Sequence, residues 1–317
     1  MKRKHYRRGM SETIPVFLDC DTGIDDALAL AHLLSRDDVD LVGIGAASGN
    51  VTAAQAAANT LALLELAGRT DIPVAVGGED HRAHPFDGGA PHVHGANGIG
   101  GLDLAAPAVT TVEGSAADLL ITAAKAHPGR LRVVAIAPLT NLALALDQEP
   151  ELPGLIESLT IMGGAVWGAG NRTPFAEANI AGDPEAAALV FAADWPITLV
   201  PLDVTRQHRF DESDRAALLA AGTPMTSALG EMLTTYFDFY ETVLGERMCL
   251  LHDPLASMIA TGDVVPDLTR ATAIRVDQSD GPERGRTAPV DGEGTLVVTS
   301  APSESARLLL AQLLGEA

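Results

Sequence analysis

Short apolar runs alternate with longer stretches of helical periodicity along most of this chain. The runs Val16–Leu18, Asp40–Ala47, Pro73–Val76, Leu131–Ile136, Leu159–Met162 and Ile197–Val200 each predict a short buried strand. Between them the periodicity predicts helices over Ala27–Leu34, Ala53–Leu66 (with Thr52 placed to cap it), Ala116–Ala126, the residues after Asn141, and Asp183–Ala193. Strands alternating with helices at this spacing predict an open, mainly parallel, Rossmann-like α/β sheet with helices on both faces. Asp211 to Thr261 reads as wholly helical. Ala271–Val276 and Thr295–Val298 read as a late β pair, followed by a closing helix, Ser303–Leu314. No repeat, low-complexity block or linker breaks the pattern, so residues 13–317 are expected to form one domain.

Composition narrows the partners. At 317 residues and 47% hydrophobic, the chain can bury a large core. A formal charge of −21 argues against nucleic acid or an anionic membrane as partner. Residues 1–12 are expected to be a disordered basic tail, because the first ten hold five of the 21 Lys and Arg and no apolar signal segment follows. No run is long and apolar enough to span a membrane. Cys20 and Cys249, both in apolar contexts, offer no disulfide framework, and a cytoplasmic protein is expected.

Chemistry concentrates where the first strand stops. Asp19, Asp21, Asp25 and Asp26 fall within eight residues, around Gly23 and ahead of a helix. In an open α/β sheet, ligands bind at that strand edge. Two like charges about 4 Å apart repel by roughly 4 kcal/mol at an effective dielectric near 20, so these groups must protonate, reach solvent or share a cation. All-oxygen ligands favour Ca²⁺ or Mg²⁺ over zinc. Helix capping by Asp25 and Asp26 accounts for one or two of the four.

Further candidates lie on other strand-end loops. Asn171, Glu177 and Asn179 suit the hydroxyls of a sugar, although asparagines also populate ordinary turns. In His252-Asp253-Pro254 the aspartate can cap the next helix, or serve as a late cation ligand beside an acid–base histidine. Residues 77–101 carry His81, His84, His92 and His94 without periodicity, a spacing only weakly compatible with zinc. Trp167, Tyr236 and Tyr240 are candidates to stack on an aromatic ligand, or are simply core or surface residues.

These pieces together resemble the nucleoside hydrolases of the inosine-uridine-preferring group. The matching residues are Asp19-Cys-Asp21-Thr-Gly-Ile-Asp25-Asp26, Gly49-Asn50-Val-Thr, His94-Gly95, Ala137-Pro-Leu-Thr-Asn141, Met162-Gly-Gly, Asn171 through Asp183-Pro-Glu-Ala186, His252-Asp253-Pro254 and Gly285-Arg-Thr287, in the family's order over nearly the whole chain. The resemblance implies a nucleoside hydrolase fold and a Ca²⁺ held by Asp21, Asp26, Asp253 and the main-chain carbonyl of Ile136. It makes Asp21 the general base. Asp25, Asn50 and Asn179 go to the ribose 2′- and 3′-hydroxyls, and Asn171 and Glu177 to the 5′-hydroxyl. His94 becomes a substrate-pocket residue, Asp19 a support behind the ligands, and His252 the acid facing the leaving base. A small-molecule nucleoside substrate and a homo-oligomer, tetramer or dimer, are implied as well. Three positions stand out: Thr22 where the family's signature commonly has proline, Ala178 where an aromatic is frequent, and His252 where a purine-specific branch has tryptophan.

Two rivals remain at this level. A haloacid-dehalogenase-type Mg²⁺ phosphatase also uses Asp-x-Asp after a strand, but Gly23 stands where it needs Thr or Val. A non-catalytic, Ca²⁺-dependent nucleoside-binding protein would keep the pocket without turnover. An EF-hand fails, for lack of its terminal glutamate and preceding helix.

Overall fold

The computed structural model describes residues 13–316, so the basic tail expected over residues 1–12 lies outside the described residues. In chain order the strands are β1 (Ile14–Cys20), β2 (Val39–Ala46), β3 (Val74–Val76), β4 (Leu131–Ala135), β5 (Ile156–Met162), β6 (Ile197–Val200), β7 (Arg209–Asp211), β8 (Met248–Leu250), β9 (Leu268–Val276) and β10 (Thr287–Ser300). Eight of them form one sheet in the order β3-β2-β1-β4-β5-β6-β10-β9, parallel throughout except for the antiparallel β9–β10 pair. The expected mainly parallel α/β sheet is therefore present.

Side-chain alternation divides the interior in two. Along β1, Val16, Leu18 and Cys20 enter one core, shared with the helices Ile24–Leu34, Ala53–Leu66, Pro224–Leu244 and His252–Thr261. Phe17 points to the other face, against the helices Ala116–Ala126, Thr140–Gln148 and Pro184–Ala192. Both faces of the strand are apolar because both are covered by helices.

The order places a switch point between β1 and β4. From β1 the chain winds outward through β2 and β3, then returns to add β4 on the opposite side. Loops leaving the C-terminal ends of β1 and β4 consequently diverge and open a crevice. The acidic stretch follows β1, and Ile136 follows β4 directly.

Two expectations need correction. Residues 211–261 are not wholly helical, because β7 and β8 pair antiparallel, with Phe210 opposite Cys249. The long helix Pro224–Leu244 stops at Gly245, whose φ of 75° is left-handed, and Met248-Cys-Leu250 is an apolar run too short to carry a helical period. The late β pair is longer than expected and belongs to the main sheet, since β10 also pairs in parallel with β6 through Thr295–Val297.

Candidate active site

A cavity of about 460 Å³ opens at the C-terminal ends of these strands. Asp25, Asn50, His94, Ile136, Asn171, Glu177, Asn179, His252 and Asp253 all line it, so the fold gathers candidates scattered over more than 220 residues of sequence.

The acidic floor is built by β1 and two helix starts. Gly23 precedes the helix Ile24–Leu34, and Asp26 in its first turn accepts from the Gly23 N–H at 2.8 Å and the Asp21 N–H at 3.1 Å. Asp26 thus makes the reach-back bond of a capping box to Gly23 and also holds the Asp21 amide in the turn before the helix. Asp21 accepts from the Asn50 N–H at 2.6 Å, and a Cβ on Gly49 would stand 2.0 Å from its oxygen, so only glycine fits beside it. Asp25 accepts from the Tyr236 hydroxyl at 2.9 Å. Asp253 does not cap its helix: the helix His252–Thr261 begins one residue earlier, with Leu251 at the cap, which leaves the Asp253 carboxylate free to face the other acids.

Asp25, Asp26 and Asp253 each offer an oxygen within 4.8 Å of the others, and all three are buried. Asp21 stands beside this group, in hydrogen-bond reach of Asp26. Burial first, and the neighbouring carboxylates second, push Asp21 and Asp253 well above the usual carboxylate range and Asp26 up to about 7. Asp19, which accepts from the Asn141 amide at 2.8 Å, is pushed up to about 7 mainly by burial. One oxygen on each of Asp19, Asp21 and Asp25 is buried without a hydrogen-bond partner. Orphaned hard oxygens in an acidic cluster fit a divalent cation of the Ca²⁺ type, whose charge would reverse these shifts. The Ile136 carbonyl reaches the same cavity and accepts from the Asn179 side chain at 3.1 Å.

The loop after β5 supplies the polar wall. Glu177 starts the short helix Ala178–Gly182, where its carboxylate accepts from the N–H groups of Asn179 (2.8 Å), Gly164 (2.9 Å) and Ile180 (3.1 Å). Asn171 accepts from the Ala178 N–H at 2.9 Å. Both side chains therefore shape the loop while lining the cavity. Asp203 accepts from the Val166 and Trp167 amides and Thr287 from Ala165, which pins the loop from the far side.

Next to Asp253, His252 is buried between the Thr205 hydroxyl, 2.7 Å from Nδ1, and the Tyr240 hydroxyl, 2.9 Å from Nε2. Burial lowers its pKa to about 4, so the ring is neutral near pH 7. His94 is also lowered by burial, and its Nδ1 accepts from the Ile24 N–H at 3.1 Å. Tyr236 and Tyr240 pack edge to face, with centroids 5.0 Å apart, on the cavity wall. Trp167 lies outside the lining, exposed, with the Arg270 guanidinium over its ring.

Sequence reasoning missed Thr205 and Arg206, because a threonine and an arginine just after β6 make no pattern. The signal available was position alone, at the end of a parallel strand. Of the loop histidines, His81 packs edge-on against His84, while His92 packs against Phe239 at the cavity. Among the described residues, none of these three belongs to a group of side chains close enough to share a metal ion.

The chain is similar to known proteins along most of its length. The family model described as inosine-uridine preferring nucleoside hydrolase matches residues 16–309. A probable uridine nucleosidase 2 of Arabidopsis thaliana is 37% identical over 276 residues, 86% of this chain and 84% of that protein. A pyrimidine-specific ribonucleoside hydrolase of Citrobacter koseri is 36% identical over 242 residues, 76% of this chain and 77% of its own length. Among solved structures, a purine-preferring ribonucleoside hydrolase from Gardnerella vaginalis superposes with a TM-score of 0.90 at 30% identity, covering 95% of this chain and 99% of that one.

The raised carboxylates have a measurable consequence. With a pKa of about 7 folded against 3.8 as the ordinary value, Asp19 holds its proton in the folded state where the unfolded chain has lost it. Stability contributed by this group is therefore lost as pH rises from about 4 to about 7. In cation-free protein, the stability of wild type relative to Asp19→Asn should decline across that window, by at most about 4 kcal/mol, and level off above it. Denaturant melts from pH 4 to pH 8 measure the difference; a pH-independent one would contradict the burial of a raised carboxyl.

Proposed function

Because the chain belongs to the inosine-uridine preferring nucleoside hydrolase family and is a ribonucleoside hydrolase, we propose that this cavity cleaves the N-glycosidic bond with the help of one Ca²⁺. The observation that carries the reading is the convergence of buried Asp25, Asp26 and Asp253, with Asp21 in hydrogen-bond reach of Asp26, beside a cavity that Asp25 and Asp253 line. Asp21, Asp26, Asp253 and the Ile136 carbonyl would hold the ion. When bound, it supplies Lewis acidity that lowers the pKa of a water and fixes the sugar hydroxyls.

The chain's own groups do the rest. Asp21 takes the proton of the attacking water; one oxygen is fixed by the Asn50 amide and the other is free to accept. Asp25, Asn50 and Asn179 orient the 2′- and 3′-hydroxyls, Asn171 and Glu177 the 5′-hydroxyl, and His94 closes the pocket. Asp19 acts through Asn141, which also accepts from the Gly78 N–H and so ties β1 to the loop after β3. Bond breaking puts positive charge on the ribosyl ring, and the carboxylates beneath it stabilise that charge. Water attacks from the side opposite the base, so the anomeric carbon inverts.

The departing base needs a proton or a strong hydrogen bond. A neutral His252 has no imidazolium proton to give, so its part is to orient the hydroxyl that meets the base. With Nδ1 accepting from Thr205 and Nε2–H donating to the Tyr240 oxygen, the Tyr240 hydroxyl is left to donate a hydrogen bond to the departing base, which takes its proton from solvent. Inosine and uridine are the proposed substrates, since the proteins similar to this chain include both pyrimidine- and purine-directed hydrolases. A phosphatase would have no use for His252-Asp253 at this cavity.

Two variants test these roles, with inosine, uridine, cytidine and adenosine as substrates and free reducing sugar as readout. Asp21→Ala should lose at least about a hundredfold in turnover, the usual scale of a general base, while its melting temperature stays near wild type. Turnover close to wild type would remove Asp21 from the reaction, and tight nucleoside binding by wild type without sugar release would leave only a binding protein. His252→Ala should slow inosine far more than a p-nitrophenyl riboside, whose leaving group needs no proton. Equal losses on the two would remove His252 from leaving-group activation.

A further inference from the structure

We propose that a buried network of His32, Ser257 and Asp263, behind the acidic site, sets the separation of the two helices that carry its carboxylates and thereby the affinity for the cation. The inference rests on the cation reading of the preceding subsection. The helices Ile24–Leu34 and His252–Thr261 pack on each other and both start at the acidic floor, with Asp25 and Asp26 in the first turn of one and Asp253 in the first turn of the other. Repulsion among buried carboxylates pushes those starts apart. Six residues beyond Asp26, about 9 Å along the helix axis, the two helices are tied together.

The tie is specific. His32 Nδ1 lies 2.9 Å from the Ser257 hydroxyl and its Nε2 lies 3.0 Å from Asp263. Asp263 also accepts from Thr261 at 2.7 Å and from Gln312 at 2.8 Å, and it pairs with Arg36 just past the end of the first helix. His32 and Ser257 are completely buried, and neither lines the cavity. Although serine, histidine and aspartate are the residue types of a hydrolytic triad, no substrate reaches a serine in that position, and its hydroxyl is shared with the Pro254 carbonyl. What the group can do is fix distance. It holds the far ends of two rigid helices in register so that their acidic starts stay within chelating reach. These are positioning residues.

Isothermal titration of Ca²⁺ into the chelator-stripped full-length chain tests this. Asp263→Ala should raise the Ca²⁺ dissociation constant about tenfold, the lower end of what losing an outer-shell partner costs a metal site, and Ser257→Ala by less. Val190→Ala, a truncation in the core on the other sheet face, should lower the melting temperature without changing the constant. Unchanged affinity in both network variants, or an equal shift in Val190→Ala, overturns the proposal; if Asp263→Ala does not fold, Ser257→Ala decides. A wild-type chain that takes up no Ca²⁺ overturns the cation reading itself, and this inference with it.

Discussion

Buried carboxylates that face one another are the constraint on which this molecule depends. Asp25, Asp26 and Asp253, all buried, bring oxygens within 4.8 Å of one another, and Asp21 stands alongside. Without a compensating cation such a group can persist only partly protonated, which is what the raised carboxyls express. Every neighbour limits the cost without removing it. The amides of Asp21, Gly23 and Asn50 and the Tyr236 hydroxyl each donate to one carboxylate, yet orphaned oxygens remain on Asp19, Asp21 and Asp25. Of these three residues Asp25 lines the cavity, and an unsatisfied buried acceptor there is what a bound cation would satisfy.

The sheet makes that arrangement possible. At the switch point between β1 and β4 the crevice opens without any strand being broken, and parallel strands deliver successive loops to the same edge. β1 supplies the acidic turn, β4 the Ile136 carbonyl, and β5 the loop of Asn171, Glu177 and Asn179. The helix starting at His252 adds the last carboxylate and the neutral imidazole side by side. One cavity therefore brings together the acidic floor and a hydrogen-bonded group of Thr205, His252 and Tyr240 that adjoins it through Asp253.

Much of this was legible in the residues. The strands of the parallel sheet announce themselves because strands buried on both faces are short continuous apolar runs. The acidic turn announces itself because four carboxylates in eight residues exceed what helix capping explains. The β7–β8 pair was hidden, since three apolar residues carry no period, and so was the union of β10 with β6, which is a matter of tertiary pairing alone. Tyr240 occupies a position in the long helix that an ordinary core residue would fill equally well, and only the fold shows its hydroxyl against His252. Order alone leaves Asp253 either a cap or a cation ligand, and the helix start one residue earlier, with Leu251 at the cap, removes the first reading. Motifs within one turn could be read from order; contacts across loops could not.

The central claim is that the acidic floor becomes a hydrolytic centre when one hard divalent cation neutralises it. The most direct measurement is sugar release from uridine by chelator-stripped protein titrated with Ca²⁺. Activity absent at the start and fully restored near one equivalent per chain is the predicted result. Full turnover persisting when the metal content falls below about a tenth of an equivalent would contradict it, because the carboxylates would then be working without the charge that their burial demands.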